Sequence, residues 1–390
     1  MEKSSIERDL DELLSESLVD ASSRVSAGAS LSEGDAVALY GAGTLGRVVL
    51  KRLRRVGIVP VAFADDTPEK QGLTLDGVAI MPPESVAAEF GERTVFVVTI
   101  LNPWLRFTEA RKRLETLTGK RVLSFLDLAW QYPESFLPFY QFELPQIVLT
   151  KAHDVRRAFN LWEDEESRRQ FVAHLRFRLF LDYQALPGNS LDNYFPSDVL
   201  PALPPDTIFV DCGAFDGDSI RAFFEYQGDS FCKIFAFEPD EQNYQKLRQY
   251  ISTLPADVAR RIYVYNAGVG DRRARMKFDS TGNTGASFSD LGDAEVDVVP
   301  LQEIVHDNHA STVYVKFDVE GTEWQALKGT QELIERVVPV LAVSIYHRPD
   351  DLWQLPLYLK SLNPNYKLYL RTQGEDGMDV ICYAVPGAHL

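Results

Sequence analysis

The chain has 390 residues, more than a single hydrophobic core usually organises, so two domains are expected. Its formal net charge of -17 disfavours nucleic acid and anionic membranes as partners, because an acidic surface repels phosphate groups. The three cysteines lack C-x-x-C spacing, which argues against disulfides and thiolate zinc sites and is typical of a cytoplasmic protein. The N-terminus is polar and unlike a signal peptide, and no run approaches the ~18 apolar residues of a membrane span.

The first 130 residues divide into a polar N-terminal segment and a small α/β domain. Within residues 1–34, apolar positions at helical spacing predict an amphipathic helix over 6–18, and the Ser-, Ala- and Gly-rich residues 21–34 predict a linker. Over residues 35–130, short apolar strands at 37–40, 59–66 and 96–100 alternate with helices. This alternation predicts a Rossmann-like domain with a parallel sheet.

A glycine motif, GAGTLG, lies between the first strand and the first helix of this domain. Gly41, Gly43 and Gly46, with Asp65 at the end of the next strand, match the spacing of a dinucleotide fingerprint. Three interpretations stay open: a second nucleotide or nucleotide-sugar site, NAD-dependent redox chemistry, and a scaffold or dimerisation module. Against redox chemistry, no Tyr is followed by a Lys four residues later, so the short-chain dehydrogenase pair is absent.

The rest of the chain predicts a helical connector and a second α/β domain. Residues 131–205 form the connector, whose strongest helix spans 164–183 and begins with acidic residues. Residues 206–390 contain seven apolar strands with helices between most of them. The last two strands are separated only by TQGEDG, which predicts a terminal antiparallel hairpin. The expected fold is therefore α/β, with a mostly parallel, seven-stranded Rossmann-like sheet behind the smaller Rossmann-like domain.

The segment IFVDCGAFDGDS, residues 208–219, predicts a ligand loop at the end of the first strand of the second domain. Small ligands of open α/β sheets bind beyond the carboxyl ends of the strands, and a glycine lets the backbone approach them. An ordinary strand-to-helix turn is the alternative. The candidate cofactor-binding residues in this loop are Asp211, Gly213, Ala214, Phe215, Asp216 and Ser219.

Two further strand ends extend this candidate site. Glu238 ends the second strand and is followed by Pro239, and a carboxylate at that position can accept hydrogen bonds from ribose hydroxyls. Asn266 and Ala267 follow the third strand, near the expected adenine edge, although a turn without ligand contact is an equal interpretation. Because dinucleotide enzymes use the same geometry, these residues alone do not decide the reaction.

The candidate catalytic residues follow the fourth and fifth strands. In VYVKFDVEGTEW, alternation places Lys316, Asp318 and Glu320 on one face, where buried charges need partners or a ligand. A carboxylate here could accept a proton from a hydroxyl, and Asp318 and Glu320 could hold a divalent cation. A purely structural Lys–Glu network is the alternative. His347 follows the fifth strand, where it could act as a general base or have a structural role.

The runs VDCGAFDGDS, FEPD with Asn243, and VKFDVEGTEWQALKG resemble the FkbM family of methyltransferases over about residues 160–386. The resemblance implies a class I methyltransferase sheet and methyl transfer from S-adenosylmethionine to an oxygen of a sugar or secondary metabolite. It implies cofactor roles for Asp211, Gly213 and Glu238, and active-site roles for Asp318 and Glu320. Simpler members read more like VGAN-x-G where this chain has Cys212, Phe215 and Asp216.

The sequence therefore predicts an S-adenosylmethionine-dependent O-methyltransferase acting on a hydroxyl of a sugar, nucleotide-sugar or secondary metabolite. Its partner would be a small-molecule or glycan acceptor, and a homodimer is compatible with the chain. The alternative function is an NAD-dependent sugar oxidoreductase or epimerase centred on the GAGTLG domain. A non-catalytic binding protein is the third hypothesis.

Overall fold

A computed structural model describes residues 3–28, 30–101, 105–119, 121–188, 194–200, 202–279, 287–288, 294–305, 310 and 312–387. The chain begins with two helices, α1 (Ser5–Leu13) and α2 (Leu18–Ala27). The predicted linker over 21–34 is wrong in its first part, because α2 continues to Ala27, capped by the Ser17 side chain and anchored by the buried Ala21. Similarly, the predicted helix over 6–18 ends early, at Leu13.

The front domain contains a six-stranded sheet whose strands lie side by side in the order β3 (Thr74–Leu75), β4 (Val78–Met81), β2 (Ala62–Ala64), β1 (Ala36–Tyr40), β5 (Thr94–Val98) and β6 (Leu123–Ser124). β1 pairs in parallel with β2 and β5, as the alternating pattern predicts, whereas the unpredicted β3 pairs antiparallel with β4. The elements are β1 (Ala36–Tyr40), α3 (Thr44–Arg55), β2 (Ala62–Ala64), β3 (Thr74–Leu75), β4 (Val78–Met81), α4 (Pro83–Phe90), β5 (Thr94–Val98), α5 (Phe107–Thr118), β6 (Leu123–Ser124) and α6 (Phe125–Gln131).

The connector contains α7 (Pro133–Phe136), α8 (Gln146–Thr150), α9 (Ala152–Phe159) and α10 (Glu165–Phe180). The predicted long helix is confirmed as α10, whose N-cap Asp164 accepts a hydrogen bond from the Ser167 amide at 2.7 Å. Phe171 and Leu175 of α10 pack into the core of the second sheet, whereas Phe177 packs into the core of the front domain. The helix therefore joins the two hydrophobic cores.

The second domain is built on a seven-stranded sheet whose strands lie side by side in the order β16 (Lys367–Thr372), β17 (Val380–Val385), β15 (Val340–Ser344), β14 (Val313–Phe317), β7 (Ile208–Cys212), β8 (Lys233–Phe237) and β9 (Ile262–Tyr265). β17 runs antiparallel to both of its neighbours, which confirms the predicted terminal hairpin. β7 lies between β8 and β14, so the connections after β7 and β14 diverge and leave a crevice at their carboxyl ends. The elements up to the fourth strand of the sheet are β7 (Ile208–Cys212), α11 (Asp218–Gln227), β8 (Lys233–Phe237), α12 (Glu241–Ser252), α13 (Ala256–Ala259), β9 (Ile262–Tyr265), β10 (Gly268–Val269), β11 (Ala274–Asp279), β12 (Ser287–Phe288), β13 (Ala294–Val299) and β14 (Val313–Phe317).

The C-terminal part of this domain completes the sheet. Its elements are α14 (Glu323–Lys328), α15 (Gln331–Val337), β15 (Val340–Ser344), α16 (Asp351–Leu362), β16 (Lys367–Thr372) and β17 (Val380–Val385). The sequence predicted one helix over 323–336, but the structure has two, separated at Gly329, where a Cβ would lie 1.8 Å from the Gly270 carbonyl oxygen. The small sheet β10-β13-β11-β12 was not predicted. Among the described residues, no helix is both long and apolar enough to cross a membrane.

Candidate active site

A buried ion pair lies beneath the carboxyl edge of the sheet. The Lys316 Nζ, on β14, donates to the Asp211 Oδ1 at 3.0 Å and to the Gly213 carbonyl at 2.7 Å. Both side chains are fully buried. Burial raises the pKa of Asp211 to about 6 despite the opposing attraction of Lys316. The two residues, predicted as a cofactor ligand and a catalytic residue, thus form the floor of the site and hold the end of β7 against β14.

The loop after β7 turns sharply over this floor. Gly213 has a φ of 87°, and a Cβ on it would lie 1.9 Å from the Asp318 carbonyl oxygen. Two residues later, the Phe215 amide donates to the Glu238 Oε2 at 2.8 Å. Glycine at 213 therefore allows the loops after β7 and β14 to touch, and it directs the first loop towards β8.

The structure brings part of the predicted cofactor set together at the ends of β7, β8 and β9. The Glu238 Oε1 accepts from the Asp240 amide at 2.8 Å, and burial raises the pKa of this carboxyl to about 7. The Asn266 amide lies 3.4 Å from the Glu238 carbonyl oxygen. The remaining predicted residues are engaged or buried locally: Asp216 pairs with Arg221, Ser219 bonds to Asp218, Ala214 and Ala267 are buried, and Pro239 is half-buried.

Four side chains beyond β14 and β15 form what we call the His347 cluster, namely Asp318, Glu320, Glu323 and His347. The His347 Nδ1 lies 2.7 Å from the Glu323 Oε1. Its Nε2 lies 3.5 Å from the Asp318 Oδ1 and 3.7 Å from the Glu320 Oε2. Asp318, Glu320 and His347, all predicted as catalytic candidates, are therefore neighbours at one point of the sheet edge.

Hydroxyl groups from three elements hold the carboxylates of the His347 cluster. The Ser344 Oγ donates to the Asp318 Oδ1, and the Tyr194 hydroxyl donates to the Asp318 Oδ2, both at 2.8 Å. The Tyr140 hydroxyl lies 3.4 Å from the Glu320 Oε2. Sequence reasoning missed Ser344, although it ends a strand at the same edge. It also missed Tyr140, which lies in the connector and belongs to no sequence motif that would place it near the sheet edge.

The charge state of the His347 cluster follows from burial and from the neighbouring carboxylates. Burial alone would lower the pKa of His347, but Glu323 and Glu320 outweigh it and raise this pKa to about 10. Burial raises the pKa of Glu320 to about 8. Burial also opposes ionisation of Asp318, but Lys316 and His347 lower its pKa below the usual value. His347 thus holds a proton at neutral pH, and so does most of Glu320, which leaves Asp318 as the ionised carboxylate of the cluster that can accept one.

The raised pKa of His347 predicts a pH-dependent stability. A histidine whose folded pKa exceeds its ordinary 6.5 stabilises the fold below pH 6.5 and loses this contribution as the pH approaches 10. We expect the free energy of unfolding, measured with urea in EDTA, to fall between about pH 8 and pH 10. His347→Gln should flatten this decline, and the exposed-site change His153→Gln should not. Equal slopes in all three proteins would contradict the assignment.

In the front domain, the glycine motif is used for packing. A Cβ on Gly46 would lie 2.0 Å from the Gly41 carbonyl oxygen, so this glycine lets α3 cross close to β1. Gly43 precedes α3 and has open space where a Cβ would be. Asp65 accepts hydrogen bonds from the Ala42 amide at 2.8 Å, the Thr67 amide at 2.9 Å and the Lys70 ammonium at 3.0 Å. A nucleotide at this loop stays a prediction.

Comparison with known proteins identifies the second domain. Residues 211–374 match the family model described as methyltransferase FkbM domain. The chain carries an FkbM methyltransferase domain. The match begins at Asp211 and spans Glu238 and the His347 cluster. Because it lies wholly outside the GAGTLG domain, the alternative of an NAD-dependent sugar oxidoreductase is not favoured.

One solved structure supports the fold of the chain by its high TM-score, and two others match it less well. Methyltransferase FkbM from Methylobacillus flagellatus KT has a TM-score of 0.75 with 22% identity, covering 98% of each chain. An rRNA methylase from Streptococcus thermophilus has a TM-score of 0.31 with 15% identity, covering 47% of this chain and 89% of its own. UDP-D-quinovosamine 4-dehydrogenase from Vibrio fischeri has a TM-score of 0.19 with 25% identity, covering 23% of this chain and 75% of its own. A comparison with curated proteins gave no match.

Proposed function

We propose that the FkbM domain transfers a methyl group from S-adenosylmethionine to a hydroxyl oxygen of a sugar, nucleotide-sugar or secondary metabolite. One observation carries the proposal: the glycine loop and Glu238 stand at the crevice beside β7, and the His347 cluster stands at the end of the adjacent β14. A cofactor held by the first group would have its reactive end directed towards the second.

The residues at the crevice fit the cofactor. Each carboxylate oxygen of Glu238 accepts one backbone amide and retains a lone pair for a ribose hydroxyl. The glycine turn at Gly213 leaves backbone groups accessible for the amino-acid end of the cofactor, without an intervening Cβ. Asn266, which lies against Glu238, is the candidate for the adenine edge.

The chain's own residues supply positioning and proton removal. S-adenosylmethionine brings a methyl carbon that is already activated by its positive sulfur, so correct placement accounts for much of the acceleration. The Asp318 carboxylate accepts the proton of the acceptor hydroxyl as its oxygen attacks that carbon, and Glu320 can do so only above its raised pKa of about 8. His347, held by Glu323, offsets part of their negative charge. Lys316 keeps the strand ends fixed from below.

The acceptor class is argued from the polar groups around Glu320. The hydroxyls of Tyr140 and Tyr194 touch the two carboxylates that would handle the proton. Such hydroxyl and carboxylate groups hydrogen-bond well to a ligand with several hydroxyls, as sugars have. The acidic net charge of -17 also favours a small molecule or glycan over a nucleic acid.

We also propose that the enzyme works in the cytoplasm. Cys212, Cys232 and Cys382 are all free, and two of them are buried. Free cysteines are typical of proteins from a reducing compartment. This placement would also give the enzyme access to S-adenosylmethionine.

Isothermal titration with S-adenosylhomocysteine tests the proposed function. We expect Glu238→Gln to weaken binding about 10- to 100-fold, because the substituted amide loses a charged acceptor and turns a donor towards a backbone amide. Glu241→Gln, the same change at an exposed position on α12, should leave the affinity unchanged. Heat from NAD with none from S-adenosylmethionine or S-adenosylhomocysteine would overturn the proposal.

A further inference from the structure

One buried nitrogen in the His347 cluster has no hydrogen-bond partner. His347 is 5% exposed, and its Nε2 makes no hydrogen bond. This atom is directed between two carboxylates, 3.5 Å from the Asp318 Oδ1 and 3.7 Å from the Glu320 Oε2. A buried polar atom without a partner is costly unless a ligand satisfies it. We propose that His347 Nε2, Asp318 and Glu320 bind a divalent transition-metal cation.

The orientation of the imidazole supports this ligand set. Its Nδ1 bonds to the Glu323 Oε1 at 2.7 Å, and the same oxygen accepts the Val319 amide at 3.1 Å. Histidines that bind metals commonly donate their other ring nitrogen to a carboxylate, which fixes the ring and leaves the ligating nitrogen free. Glu323 therefore acts as the positioning residue. Nε2, which holds a proton in the metal-free protein, would exchange that proton for the cation and become the ligand.

The separations within the cluster fit a shared ion. Two ligand atoms that each lie about 2.1 Å from one metal are about 3.0–3.4 Å apart. The observed 3.5 and 3.7 Å, both measured from Nε2, differ from this by a few tenths of an ångström. Asp318 and His347 also belong to a group with ligand-type atoms within 4.8 Å of one another, whose third member is Glu323, so the Glu320 side chain has to move towards Asp318 for both to reach one ion.

The carboxylates are held in the manner of metal ligands. Asp318 is fixed by Ser344 and Tyr194, and ligating carboxylates are typically hydrogen-bonded in this way. The side chains of Asp318 and Glu320 are 21% and 20% exposed, so one side of the site faces the crevice. Three carboxylates surround one imidazole, and the nearby Lys316 is paired with Asp211. A cation would offset the remaining negative charge.

The ligand types indicate which cation fits. Imidazole nitrogen favours transition metals, and carboxylate oxygen suits Mn²⁺, so a mixed set favours Mn²⁺ or Zn²⁺ over Ca²⁺. The role of the ion rests on the proposed function: an acceptor hydroxyl in an open coordination position would lose its proton more easily. That proton would pass to the non-ligating oxygen of Glu320, while the oxygen–methyl bond forms and the carbon–sulfur bond breaks.

Metal titration of the EDTA-treated full chain, without cofactor, tests the inference. Electron paramagnetic resonance of free Mn²⁺ and calorimetry with Zn²⁺ should show one ion per chain. We expect His347→Gln and Asp318→Asn to weaken binding at least 100-fold, and Glu323→Gln, which keeps the ligands, about 10- to 100-fold. His153→Gln is the control and should bind as the unchanged protein does. Circular dichroism would establish that each variant is folded.

The outcomes separate this inference from the proposed function. Absence of Mn²⁺ and Zn²⁺ binding by the unchanged protein would overturn the metal site, even if S-adenosylhomocysteine binds. Equal metal affinity in the unchanged protein and in a folded Asp318→Asn variant would also overturn it. This second comparison still tests the metal site if the His347→Gln variant fails to fold. If metal affinity follows the expected order of the variants but the protein does not bind S-adenosylhomocysteine, the metal site is supported and the methyltransferase proposal is refuted.

Discussion

Replacing Lys316 with Met should lower the free energy of unfolding by about 3–5 kcal/mol, because the Asp211 carboxylate would stay buried without its partner. The Lys316 Nζ bonds to both Asp211 and the Gly213 carbonyl, and neither side chain of the pair reaches solvent. Urea denaturation followed by circular dichroism would measure the loss. The same variant should weaken the binding of S-adenosylhomocysteine, since the glycine loop loses its support.

A double variant distinguishes an unpaired charge from lost packing. Lys316→Met combined with Asp211→Leu replaces the ion pair by apolar groups of similar size and should recover most of the stability. Lys112→Met, at an exposed position of α5, should change the free energy of unfolding by less than about 0.5 kcal/mol. If the double variant were as unstable as Lys316→Met alone, the penalty would not come from the unpaired Asp211.

Gly213→Ala should destabilise the protein by about 2–5 kcal/mol. A left-handed backbone costs a residue with a Cβ about 1–2 kcal/mol, and overpacking adds about 1–3 kcal/mol. Here the new Cβ would meet the Asp318 carbonyl oxygen at 1.9 Å, so the loops after β7 and β14 would have to separate. Affinity for S-adenosylhomocysteine should fall at least tenfold, because these loops border the proposed site.

Gly119→Ala is the matched control for that variant. Gly119 ends α5 in the left-handed conformation, with a φ of 64° and a ψ of 8°, and no atom lies within 4 Å of a Cβ built on it. Its substitution should therefore cost only the backbone penalty of about 1–2 kcal/mol and leave the affinity for S-adenosylhomocysteine unchanged. Similar losses of stability and affinity in the two variants would show that contact between the loops is unimportant.

The fold could be predicted wherever the local hydrophobic pattern of the sequence matches the position of the strand in the sheet. The hydrophobic runs of β7, β8, β14 and β15 mark buried parallel strands, and the short TQGEDG connection permits only a hairpin between β16 and β17. The small sheet β10-β13-β11-β12 was missed, because β10 and β12 have only two residues each, while β11 and β13 are partly exposed and the strands do not pair in chain order. The break between α14 and α15 was missed because it arises from a contact of Gly329 with distant backbone.

For the candidate site, the sequence could predict only which strands end in polar residues. The rule that ligands bind at carboxyl edges places Glu238, Asp318 and His347 together. It does not reveal that Asp211 and Lys316 neutralise each other below the surface, since that depends on side-chain direction. Nor could it find Tyr140, which reaches Glu320 from the connector through the tertiary fold.

The position of α1 has a consequence for how the chain folds during synthesis. Ile6, Leu10 and Leu13 of α1 share one hydrophobic core with Phe171 of the connector and Val315 of the seven-stranded sheet. Helix α1 is therefore synthesised before its packing partners, which lie far along the chain in α10 of the connector and in the seven-stranded sheet. Domains usually fold as they emerge, but the apolar stripe of α1 stays exposed until α10 of the connector has been made, and its core is completed only with the seven-stranded sheet. The front domain can complete its own core in the meantime.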